Sequence, residues 1–156
     1  MKQRLWLPMI SILVIFALAG CSQFFMAFVG HGGEVANSAA SNRVTDYKSL
    51  ITSLEAAGAA VIAGETLSQP FFDVTGQIMR VNGEDVQVFE FADEATAEMA
   101  ASQISPDGSS TPTMMITWMA TPHFYRSGRV IVVYVGENEG ITSLLEAMIG
   151  PQFAGG

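Results

Sequence analysis

The chain has 156 residues, 15 acidic groups against 7 basic ones for a formal charge of −8, and one cysteine. A surface of that sign repels phosphate backbones, which sets nucleic acid aside as a partner, and a lone cysteine excludes both an internal disulfide framework and a metal site built on paired thiols. Charged residues are only 14 % of the chain where a soluble domain carries roughly a quarter, so a concentrated apolar segment must raise the average.

That segment comes first. Lys2 and Arg4 form a short positive stretch, residues 5–18 are apolar apart from Pro8 and Ser11, and the small residues Ala19 and Gly20 precede Cys21. This is the layout of a secretory signal. Leu18, Ala19, Gly20 and Cys21 resemble the lipobox of bacterial lipoproteins. The resemblance implies diacylglyceryl transfer to the Cys21 thiol, cleavage between Gly20 and Cys21, and optional acylation of the new amino terminus. Two acyl chains anchor stably where a single chain is marginal. Two other readings stand beside it. Residues 5–29 are long enough to span a hydrocarbon core of roughly 30 Å as an uncleaved signal anchor, and a secreted protein with a free thiol is the third.

The expected organisation is a signal peptide over residues 1–20, a lipidated N-terminus and flexible tether over 21–43, and a single domain over 44–154. Loss of Lys2 and Arg4 would take the charge to −10. Gly, Ala, Ser and Asn without apolar period mark residues 30–42 as the tether, with a reach of roughly 20 Å.

In the domain, Tyr47, Leu50, Ile51 and Leu54 repeat at helical spacing, with Thr45 or Asp46 to cap and Gly58 to stop. Residues 77–81 and 84–91 flank Asn82 and Gly83, a strong hairpin signal that would set Arg80 opposite Asp85 and Met79 opposite Val86. Asp93 caps a second helix carrying Ala97, Ala100, Ala101 and Ile104. Residues 107–112 are a loop, and 114–119 read as a buried strand. Residues 123–126 and 129–135 predict a second hairpin turning at Ser127 and Gly128, its exit strand apolar on both faces and therefore central. Asn138 caps a last helix with Ile141, Leu144, Leu145 and Met148, closed by Gly150 and Pro151. The expected class is α+β: a mainly antiparallel sheet of two hairpins with three helices packed against it, in the order α-ββ-α-ββ-α.

His123 is the domain's one histidine, and no Gly-x-Ser-x-Gly elbow accompanies it, so a catalytic triad has no motif here. Met115, Met119 and His123 suit a soft ion such as Cu(I) by chemistry, although strand alternation would turn Met114 and Trp118 to the other face. Phe71 and Phe72, with Phe124 and Tyr125, could line an apolar groove for a ligand. No catalytic residue is assigned, and no cofactor beyond the lipid on Cys21. Residues 81–84 with 86–91, 121–125 with 129–136, and 150–155 are similar to a group of small bacterial lipoproteins to which no activity is attached, which implies location and fold but no catalytic group. The expectation is a lipid-anchored cell-envelope protein on the extracytoplasmic side of its membrane. Its domain would bind an envelope protein or small ligand without catalysis. A soft-metal carrier and a small envelope hydrolase are the alternatives.

Overall fold

The computed structural model describes residues 43–156. Helix α1 spans Tyr47–Ala56. It begins where the Asp46 carboxylate accepts the Ser49 backbone N–H at 2.8 Å while the Ser49 hydroxyl accepts the Asp46 N–H at 3.0 Å. This reciprocal box satisfies two of the amide donors that a helix start leaves bare. Gly58, at φ +86°, ends it in the left-handed region that costs other residues roughly 1–2 kcal/mol.

Strand β1 (Val61–Ser68) follows, then β2 (Thr75–Val81) and β3 (Glu84–Glu90). Asn82 and Gly83 take φ +51° and +93°, the backbone of a two-residue turn whose twist matches the flanking strands. Its register puts Arg80 opposite Asp85 and Met79 opposite Val86. Helix α2 (Glu94–Ser102) is capped by Asp93, whose carboxylate accepts the Thr96 N–H at 2.8 Å. Two short strands, β4 (Ser110–Thr111) and β5 (Met114–Met115), pair with each other. Then come β6 (Pro122–Ser127), β7 (Val130–Val135), α3 (Glu139–Ile149) and β8 (Ala154–Gly155).

The fold class is α+β. Six strands form one antiparallel sheet in the order β1-β2-β3-β7-β6-β8. The two expected hairpins meet along β3 and β7, so β7 is interior, and Val130 through Tyr134 are all buried. One face packs Met79, Val81, Val86, Val88, Val132 and Tyr134 beneath Leu50 and Leu54 of α1 and Ile141 and Leu145 of α3. The other packs Phe89, Ile131, Val133 and Phe124 beneath Ala97 and Ala101 of α2 and Phe72. Both faces of β7 are therefore core, which explains a strand with no polar alternation.

Three local expectations need correction. The sheet gains an edge strand, β1, exposed along most of its length. Its register slips between Ala63 and Thr66, so Gly64 and Glu65 form a bulge that erases the period-two pattern. The second hairpin turns at Gly128 and Arg129, because Ser127 remains in β6 opposite Val130. The Ser127 hydroxyl donates to the Val44 carbonyl at 2.6 Å and the Arg129 N–H to that of Thr45 at 3.0 Å, so a distant segment sets that register. Finally, residues 114–119 are not a buried strand. Only Met114 and Met115 pair, and Met115 is 85 % exposed and Met119 fully so.

Candidate functional site

Gly20 and Cys21, the expected cleavage and lipidation positions, lie outside the described residues. Among the described residues no helix is long and apolar enough to cross a membrane.

Of the three residues expected to suit a soft metal, Met115 and Met119 are exposed on the β4–β5 hairpin and the bend after it, and His123 is half-buried on β6. The His123 ring is already engaged on both sides. Its Nδ1 lies 2.7 Å from the Gln152 side-chain oxygen and its Nε2 3.1 Å from the Gly136 carbonyl, and the ring stacks on Tyr134 at 5.8 Å. Which nitrogen carries a proton follows from the tautomer. Strand β6 aims the ring, since His123 sits opposite Tyr134 on β7 and Gly155 on β8. Gln152 in turn donates its amide N–H to the Gly155 carbonyl at 2.6 Å. The histidine thus joins the end of β7 to the C-terminal segment. Among the described residues no three His, Cys, Asp or Glu side chains cluster as a metal cage.

The four aromatic residues expected to line one groove divide between two faces. Phe124 and Tyr125 are neighbours on β6 and point to opposite sides of the sheet, each wholly buried in a different core. Alternation along a strand requires this. Phe71 and Phe72 do border a cleft of about 360 Å³, completed by Phe91 and by Thr96, Met99 and Ala100 of α2. Phe71 packs against Phe72 at 4.8 Å, and Phe72 in turn against the buried Phe89 at 4.7 Å. Phe71 also meets Trp118 edge-on at 5.9 Å.

A second recess, of about 430 Å³, was not foreseen. It lies on the α1 side of the sheet among Tyr47, Thr75, Gln77, Val88, Glu90 and Arg129. Arg129 pairs with Glu90 there, so the recess is polar but internally neutralised. The Tyr47 hydroxyl is buried without a hydrogen-bond partner, and burial raises its pKa because the phenolate would lose its water. These residues come from four stretches of chain, of which only β2 and β3 are joined by a local hairpin.

Two exposed carboxylates hold the ends of the connection between α2 and β6. Asp107 accepts the Ser105 and Ser109 hydroxyls at 2.6 and 2.7 Å and the Ser109 N–H at 3.1 Å, which lowers its pKa to about 2 by favouring the charged form. At the other end Glu137 accepts the Thr121 hydroxyl and N–H, and these bonds lower its pKa as well. No family model, curated protein or solved structure matches the chain.

Proposed function

We propose that this is a lipid-anchored cell-envelope protein, held by acyl chains on Cys21 at the extracytoplasmic side of its membrane. On this reading the acidic α+β domain serves as a non-enzymatic binding or interaction module. The observation that carries the reading is Cys21 itself, set after Leu18, Ala19 and Gly20 at the end of a positively started apolar run. Only a lipidation signal needs a cysteine at that place, and two acyl chains supply the anchoring that one chain lacks.

The reading without catalysis rests on the sequence, which carries no nucleophile elbow or other catalytic motif. His123 is the one histidine among the described residues, and its ring nitrogens lie 2.7 Å from the Gln152 side-chain oxygen and 3.1 Å from the Gly136 carbonyl. A soft-metal carrier using Met115, Met119 and His123 and a small envelope hydrolase are the alternatives.

The test is metabolic labelling with palmitate in a bacterial host that carries the lipoprotein pathway. The full chain should take up label and lose residues 1–20, and the Cys21→Ser variant should take up no label and keep its full-length mass. Label-free parent protein, or label retained by the Cys21→Ser chain, would overturn the reading.

A further inference from the structure

Residues 108–122 contain no charged side chain, in a chain whose formal charge is −8. This uncharged stretch forms the β4–β5 hairpin and the bend after it, and it displays Met115 and Met119 with almost no cover. Exposed apolar side chains on a soft loop usually fold back on the protein, but here the loop is braced from beneath. The Trp118 indole N–H donates to the Gly108 carbonyl at 2.8 Å, and the Ile116 N–H to that of Ser109 at 2.7 Å. The Trp118 ring packs edge-on against Phe71 and Phe124. The Gly108 backbone lies close on the Phe124 ring, 2.8 Å from where a Cβ would stand. The two methionines are therefore held outward by a fixed base.

We propose that the tip carrying Met115 and Met119 docks into the interfacial layer of a zwitterionic lipid surface. The proposal rests on the anchored reading, because a lipid on Cys21 would keep this domain within reach of such a surface. The segment sets two exposed unbranched apolar tips among the hydroxyls of Ser109, Ser110, Thr111, Thr113 and Thr117, with no charge that would have to leave water on docking. Burying flexible thioether chains in the acyl boundary removes apolar area from water. The charge pattern selects the lipid. Asp107 and Glu137 stand at the two ends of the stretch, so a lipid surface rich in negative headgroups repels its base, whereas zwitterionic headgroups do not.

The experiment uses the full chain with Met119→Cys, labelled at the new thiol with an environment-sensitive nitrobenzoxadiazole dye and inserted in phosphatidylcholine vesicles. Lipidation blocks Cys21, so one dye per chain is expected, and two dyes would mean that the anchored reading has failed rather than the docking. With one dye, the emission should move to the blue and gain intensity, and adding Met115→Asp should return it to the value in water. A dye on α1, placed by Thr52→Cys, should show no change. The docking is overturned by emission at position 119 that stays water-like or by an equal change at position 52. It is equally overturned by a stronger change in phosphatidylglycerol vesicles than in phosphatidylcholine, or by a change that follows protein concentration without lipid, which would assign the tip to a second copy.

Discussion

Replacing His123 with alanine separates a structural imidazole from a chemical one. The substitution removes the contacts to Gln152 at 2.7 Å and to Gly136 at 3.1 Å, of which a neutral ring, with its single N–H, makes one as a donated hydrogen bond. Such a bond is worth about 0.5–1.5 kcal/mol net, before any contribution from the Tyr134 stack. For a domain of this size that corresponds to a fall in Tm of roughly 2–6 °C. The loss should also be local. Gln152 steadies Gly155, and the C-terminal segment is otherwise tied by the Phe153, Gly155 and Gly156 amides, which donate to the Phe124, Pro106 and Pro122 carbonyls. Native-state hydrogen exchange should therefore quicken first at those three amides, while amides of β3 and β7 keep the protection of the global fold. A double-mutant cycle with Gln152→Ala should return a coupling of about 0.5–1.5 kcal/mol. An unchanged Tm with unchanged exchange at Phe153, Gly155 and Gly156 would refute the reasoning and leave the ring free for chemistry.

Tyr47→Phe removes a buried hydroxyl that has no partner, so it should leave stability unchanged or raise it by about 1 kcal/mol, measured by urea unfolding; a loss of that size would mean that the hydroxyl is bonded in solution. Asp107 ionises at about 2 in the fold against roughly 3.9 in an unfolded chain. The depressed value means that its stabilisation is present above the unfolded pKa and is lost as pH falls through about 2. Asp107→Asn should accordingly unfold more easily at pH 7, and the gap to the parent should close between pH 4 and pH 2. Gly155→Ala and Gly58→Ala form a matched pair, since both glycines have φ near +85° (+83° and +86°). A Cβ at Gly155 would strike the Pro122 carbonyl oxygen, whereas one at Gly58 meets nothing within 4 Å. The Gly58 variant should cost about 1 kcal/mol and the Gly155 variant clearly more, by thermal unfolding. Equal costs would contradict the packing of β8 on β6.

The elements legible in the sequence were those fixed by neighbours in the chain. Asp46, Asp93 and Asn138 each cap a helix through a backbone N–H two or three residues ahead. Asn82 and Gly83 carry the register of their hairpin within four residues, because their positive φ values select one turn. Features fixed from far away were not legible. The turn at Gly128 depends on Val44 and Thr45. Strand β1 has little burial to impose a period, and a bulge breaks what period there is. Apolar residues at 114–119 look like core by composition, but the core on that side is already filled by Phe71, Phe72, Phe89 and Phe124, leaving Met115 and Met119 outside. His123 was recognisable as a singular residue, yet its partner Gln152 lies 29 positions away, beyond any local pattern. The alternation that buries Phe124 and Tyr125 on opposite faces was in principle readable once residues 122–127 were taken as a strand with both sides covered.

The most direct test of the account is the intact mass of the protein extracted from its own membranes in mild detergent. The account predicts the mass of a chain beginning at Cys21, increased by a diacylglyceryl group and, where the amino terminus is acylated, by one further acyl chain. An unmodified mass beginning at Met1 would contradict it and identify the first segment as an uncleaved signal anchor.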